Sequence, residues 1–237
     1  MISPPIDQWG VCAELSALEG GHRNEVWRTH GLDQNVVFKS TRRDEASVAW
    51  LVPVLDNAGK CGLHVPSLKT SRSGRWVCDG WTCETFIEGA HITRDELSEL
   101  SASLSRFHAS MQGISQRPGF LSSSALMTAH CGGDVDLTRM PSDLVALCRA
   151  SWGEVIGDVG TVVHGDLSPS NVLRRPDGGL SVVDWDECRC DFVLFDRVPF
   201  GQVTEAERRA HLAWELACSW KREPAYARDL AEMLRNS

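Results

Sequence analysis

The chain has 237 residues, 42% apolar and 24% charged, enough to bury a sizeable core as one large domain or two smaller lobes. With 32 acids against 24 bases the net charge is −8, which argues against a nucleic-acid or anionic-membrane partner, since either calls for a basic face. No apolar run reaches the length of a membrane span, no basic-then-apolar leader is evident, and an odd count of nine cysteines fits a reducing cytoplasm better than a disulfide framework.

The first ninety residues read as a small strand-rich lobe. Leu15–Leu18 lead into Gly20-Gly21, and Glu25–Thr29 leave it; paired glycines between strands let backbone N–H groups approach a phosphate closely. In Asn35–Lys39, alternation places Val37 and Lys39 on one face and Val36 and Phe38 on the other. Residues 43–58 carry a helical pattern with Glu45 in the first turn, where it can pair with Lys39, and with Pro53 expected to kink or divide the helix. His64–Thr70, Arg75–Cys78 and Trp81–Phe86 read as further strands, and Ile87-Glu88-Gly89 as a hinge.

From Thr93 the character becomes helical. Thr93 and Glu96 form a capping-box pattern, and Leu97, Leu100, Leu104, Phe107 and Met111 follow as a core-facing stripe with His108 packed beside it. Residues 117–135 are rich in turn formers and read as a loop; helices are expected over Pro141–Val155, Thr204–Lys221 and Pro224–Arg235. Cys78 with Cys83, and Cys188 with Cys190, lack the Cys-x2-Cys spacing of a zinc site and read as buried thiols.

The chemistry concentrates in His164-Gly165-Asp166-Leu167-Ser168-Pro169-Ser170-Asn171 and Val182-Val183-Asp184-Trp185-Asp186. The strand-like Thr161–Val163 enters the first segment. Val172–Arg174, the turn signal Pro176-Asp177-Gly178-Gly179 and Leu180–Val183 form a hairpin whose open end brings Asn171 toward Asp184. Phosphoryl transfer from ATP needs a carboxylate for the acceptor hydroxyl and oxygen ligands for Mg2+. Asp166 suits the first role, and Asn171 and Asp184 the second.

These segments resemble the aminoglycoside phosphotransferase and choline-kinase-like family, the small-molecule branch of the protein-kinase-like fold. The match is strongest over residues 161–196 and looser through Gly20-Gly21, Lys39, Glu45 and Ile87-Glu88-Gly89. The resemblance implies an α+β, bilobal protein-kinase-like fold, with a small antiparallel-sheet N-lobe over residues 1–88 and a mainly helical C-lobe over 89–237. It implies an ATP-dependent phosphotransferase acting on a hydroxyl of a small polar molecule: an aminoglycoside-like antibiotic, an amino alcohol or a sugar. By position, Asp166 is the base, Asn171 and Asp184 are Mg2+ ligands, and Lys39 holds the α- and β-phosphates while paired with Glu45. His164 and Asp196 support the loop, Asp186 stands behind the metal, and adenine meets the hinge backbone near 84–88. The glycine loop departs from Gly-x-Gly-x-x-Gly, and the carboxy-terminal part is short for the family.

Three competing readings differ in chemistry. A protein kinase is disfavoured by Gly165 in place of Arg, by Trp185-Asp186 in place of Phe-Gly, and by the lack of an Ala-Pro-Glu segment. A non-catalytic nucleotide-binding module would ordinarily lose one of Lys39, Asp166, Asn171 or Asp184, all of which are present. A metallohydrolase built on His164, Asp166, Asp184 and Asp186 would want more histidines near by.

Overall fold

A computed structural model describes residues 3–18, 24–157, 160–201 and 203–237. The chain forms two compact units, residues 1–91 with 173–183, and residues 92–172 with 184–237.

In the first unit, β1 (Glu14–Ala17), β2 (Val26–His30), β3 (Val36–Ser40), β4 (Leu68–Lys69) and β5 (Trp81–Thr85) form an antiparallel sheet in the order β1-β2-β3-β5-β4. The alternation expected in β3 is realised. Val36 and Phe38 join Trp81 and Cys83 in an apolar cluster covered by Ile6, Trp9 and Val11, and Trp9 meets the Phe38 ring edge-on at 5.5 Å.

Between β3 and β4, α1 (Glu45–Lys60) starts on the Asp44 side chain, which accepts the Ser47 N–H at 2.8 Å. Pro53 does not divide α1. Val48 and Leu51 before it, and Val54, Leu55 and Ala58 after it, are all buried, so packing holds both halves despite the lost backbone donor. The strands expected over 64–78 contract to β4 and isolated bridges at His64 and Cys78. The backbone bond from Ser71 N–H to Arg75 O, 2.8 Å, closes a turn there instead. The unit continues to β6 (Ala90–His91).

The second unit opens with a 3-10 turn, Asp95–Leu100, running into α2 (Ser101–Ser110). The Glu96 carboxylate accepts both the N–H and the hydroxyl of Thr93, so the Thr93 oxygen serves as donor and only the acid arm of the capping box forms. The stripe Leu97, Leu100, Leu104, Phe107 and Met111 is buried throughout. There follow a small hairpin, β7 (Cys131–Gly132) with β8 (Val135–Asp136), then α3 (Ser142–Gly153) and β9 (Gly160–Val163).

The strands β10 (Val172–Arg174) and β11 (Leu180–Val182) are joined by the expected tight turn and lie beside β6 in the order β11-β10-β6. Leu173 and Arg174 pair with His91 and Ala90, and the His64 carbonyl accepts the Val182 N–H at 2.8 Å. These bonds explain why 173–183 clusters with the amino-terminal residues. The first compact unit thus differs from the expected 1–88 by running three residues further, to His91, and by including the hairpin residues 173–183.

β12 (Arg189–Phe192) pairs antiparallel with β9, Arg189 opposite Val163 and Asp191 opposite Thr161. The chain ends in α4 (Leu194–Arg197), α5 (Glu205–Ser219) and α6 (Pro224–Asn236). Trp152, Phe195, Trp214, Leu216 and Leu230 share the main core, and the Trp152 indole N–H donates to Ala210 O at 3.2 Å. Thr204 and Glu207 make a complete capping box at the start of α5.

Leu216→Ala is expected to cost about 2–5 kcal/mol through lost burial and a residual cavity. Thr204→Ala should cost about 1 kcal/mol through lost capping. Urea midpoints of the two variants, with unchanged m-values, check the ranking.

Candidate active site

The loop that follows β9 is fixed from below by one carboxylate. Asp196, on α4 and 1% exposed, accepts the His164 N–H on Oδ2 and the Gly165 N–H on Oδ1, each at 2.9 Å. The same Oδ2 lies 2.9 Å from Nε2 of His108. Burial alone would raise this carboxyl, yet its hydrogen bond to His108, the charges of His108 and His164, and the Gly165 N–H hold it below its ordinary value.

His108 is therefore more than a packing residue. Its ring binds Asp196, and its carbonyl accepts the Thr161 hydroxyl at 2.8 Å, tying α2 to β9. The helical stripe locates its face of α2, but the atom it meets lies 88 positions along the chain.

His164 is fully buried. Its Nδ1 accepts the Asp166 N–H at 3.3 Å, and its ring stands edge-on to Trp185 at 4.8 Å. Gly165 has φ +84°, and an added Cβ would sit 2.7 Å from Glu187 O and against the Arg189 guanidinium. Only glycine meets both conditions. Arg189, itself fully buried, donates from Nε to Asp191 Oδ2 at 2.9 Å and lies over the Trp214 ring at 3.5 Å.

Asp166 is exposed on the loop. Asn171 closes the Pro169–Asn171 turn directly before β10 and donates from Nδ2 to Asp166 O at 2.7 Å and Asp166 Oδ2 at 3.0 Å. That leaves the Asn171 amide oxygen as its remaining acceptor. Asp184 follows β11 by one residue in the left-handed region, φ 61°, a conformation a short polar side chain tolerates. Asp184 and Asp186 are both half-buried. Among the described residues no three His, Cys, Asp or Glu side chains converge into a metal cage. Asn171 offers an amide oxygen and Asp184 a carboxylate. Such a hard-oxygen pair suits Mg2+, which keeps waters and takes phosphate oxygens as further ligands.

In the first unit, the expected Lys39–Glu45 pair is replaced by another. Lys39 Nζ lies 2.9 Å from Glu84 Oε1, while the Glu45 carboxylate accepts the N–H groups of Trp76 and Val77 at 2.8 and 2.9 Å. The register explains it: Lys39 stands opposite Thr82 on β5, and Glu84, two residues along, shares its face. Glu84 escaped the sequence reading because pairing register is not encoded in alternation alone. Just before β6, a Cβ on Gly89 would lie 2.8 Å from Arg174 O, so the chain approaches β10 there only with glycine. Gly20 and Gly21 lie outside the described residues. All nine cysteines are free thiols, and burial pushes Cys83 and Cys148 up to about 12.

Asp196→Ala should lose roughly 3 kcal/mol at neutral pH, because it leaves buried N–H groups and His108 without their acceptor. The sign with pH follows from the depressed folded pKa: the stabilisation is full above the ordinary carboxyl value of 3.8 and is lost as pH falls through the lower folded value. Urea titrations of wild type and variant should therefore converge on acidification.

A sequence model of the phosphotransferase enzyme family (APH) matches residues 14–230. No curated protein sequence matches the chain. Among solved structures, choline kinase LicA from Streptococcus pneumoniae superposes with TM-score 0.63 at 12% identity, over 98% of this chain and 95% of that one. The microcompartment-associated aminopropanol kinase gives 0.61 at 16% identity, over 97% and 90%. The streptomycin–ATP–APH(2")-IIa ternary complex gives 0.57 at 15% identity, over 100% and 98%. These likenesses carry the α+β, protein-kinase-like fold of small-molecule kinases. With its family model matched over nearly the whole length, the chain belongs to the phosphotransferase enzyme family and is a small-molecule phosphotransferase.

Proposed function

We propose that the enzyme moves the γ-phosphate of ATP to a hydroxyl of a small acceptor that carries amino groups. The observation that carries this reading is the interlocked Asp166–Asn171 pair on a loop anchored by Asp196, with Asp184 at the foot of the adjoining hairpin. Asp166 orients the acceptor hydroxyl and takes its proton, while the Asn171 amide, through its two bonds to Asp166, fixes that carboxylate's rotamer. Asn171 Oδ1 and Asp184 would hold magnesium, which when bound neutralises phosphate charge. Lys39, restrained by Glu84, would meet the phosphates of the nucleotide.

The acceptor class is supported by Tyr226 on α6, the chain's one tyrosine and 47% exposed. Burial, together with the charges of Glu215 and Glu223 and the hydrogen bond to Glu215, pushes its phenol up to about 12, with Asp166 contributing in the same direction. An exposed aromatic face amid these carboxylates favours an ammonium group. His211, near Glu215, is pushed down to about 4 by burial, so it is uncharged at neutral pH and does not neutralise that acid. Neutral sugars fit such surroundings less well than amino alcohols or amino sugars.

An ATP-consumption screen with hydroxylated amines and matched neutral polyols tests this directly. Turnover on the amines is expected, with Asp166→Ala lowering kcat by about 10²–10⁴-fold while nucleotide affinity holds. Glu215→Gln should raise KM for the acceptor by about 5–10-fold with a smaller change in kcat. Equal turnover on neutral polyols would reject the charged acceptor. ATP binding without turnover on any acceptor would favour the non-catalytic module.

A further inference from the structure

The chemistry just described makes no use of Arg117, a side chain 1% exposed within a stretch that reads in sequence as featureless loop. Its NH1 donates to the carbonyl oxygens of Asp186 at 2.7 Å, Cys188 at 3.0 Å and Trp185 at 3.4 Å, and its guanidinium lies 4.3 Å over the Phe120 ring. Gln116 takes the next step along the same segment. Its Nε2 donates to Cys190 O at 2.8 Å, and its Oε1 accepts the Cys190 N–H at 2.9 Å.

Two neighbouring side chains thus satisfy the backbone of 185–190 from one side. The 3-10 turn Trp185–Glu187 begins immediately after Asp184; Trp185 O accepts the Cys188 N–H at 3.2 Å, and the turn ends there without continuing into a helix. Buried carbonyls of this kind must find donors. One guanidinium reaching three of them fixes the direction in which the chain leaves Asp184, and with it the left-handed backbone of that residue.

We propose that Gln116 and Arg117 form a positioning clamp that sets the orientation of the Asp184 carboxylate for divalent-metal binding. The proposal rests on the reading of Asp184 as a magnesium ligand. All three bonds leave from NH1, and arginine suits the position because its planar head also covers the Phe120 ring and so holds that nitrogen in one place, which a lysine ammonium on a flexible stem does not reproduce. Gln116 supplies the register: its amide pairs with both backbone groups of Cys190, so the turn cannot slide past Arg117.

The test uses Mn2+ as the probe, titrated into the ADP-loaded protein and followed by electron paramagnetic resonance, alongside metal-free ADP affinity and melting temperature. Arg117→Lys should weaken Mn2+ binding about tenfold, the scale on which outer-shell partners act on metal ligands. Gln116→Ala should move it in the same direction by about threefold, and metal-free ADP affinity should stay within about twofold in both. Unchanged Mn2+ affinity with a lowered melting temperature would overturn the clamp and leave Arg117 a purely structural residue. Should Arg117→Lys not fold, Gln116→Ala decides by the same titration. Asp184→Asn separates the two layers. Loss of Mn2+ binding there, with none in the clamp variants, rejects the clamp alone; no loss in Asp184→Asn rejects the ligand assignment and the clamp with it.

Discussion

The site depends on what the buried carboxylate of Asp196 does for two backbone N–H groups. His164 and Gly165 sit where β9 has run out of ladder partners, so their donors would otherwise be buried without acceptors. A single charged acceptor answers both, and charge-assisted bonds of this kind are the strong ones. His108 offsets part of the cost of burying the charge, which is why α2, distant in sequence, takes part in a loop that belongs to β9 and β12. Remove the carboxylate and the loop loses the hydrogen bonds that tie His164 and Gly165 to α4.

Once the loop is pinned at 164 and 165, the rest of its shape follows from close packing. Gly165 turns left-handed because the Arg189 guanidinium and the Glu187 carbonyl fill the space a side chain would need. Arg189 is itself held by Asp191 and by the aromatic faces of Trp214 and Phe195, so the core of the second unit reaches the loop through one cation. The absence of an arginine at position 165 is thus a steric necessity: a guanidinium arrives in that place from β12.

The loop and hairpin that carry Asp166, Asn171 and Asp184 are legible in the sequence because residue type and spacing come together there, with a turn signal between two short β runs. The main helices and the core stripe on α2 were legible for the same reason, since 3.6-residue periodicity reports burial directly. What periodicity cannot carry is partnership. Lys39 was placed on the right face of β3, yet its partner is set by the register against β5, and so Glu84 stands where Glu45 was expected. The domain boundary slipped for a related reason, because hydrogen bonds from β6 and His64 draw the 173–183 hairpin to the amino-terminal residues. Gln116 and Arg117 left no trace in a turn-rich stretch, since a side chain that binds backbone carbonyls needs no matching residue type in its partner.

The two buried arginines also bear on the charge of the active face. Arg117 and Arg189 are directed inward, one onto carbonyls and one onto Asp191, so their positive charge does little to balance the surface acids. Buried carboxylates outnumber them, since Asp134, Glu187, Asp191, Asp196 and Glu207 also lie inside, so acidic character beside the loop is local and does not follow from the net charge of −8. Glu215, Glu223 and Asp166 all raise the Tyr226 phenol, and burial keeps His211, 3.9 Å from Glu215, uncharged at neutral pH. Carboxylates so placed would repel a nucleotide's phosphates wherever no cation or N–H group meets them. For an amine-bearing acceptor the same field is attractive at long range.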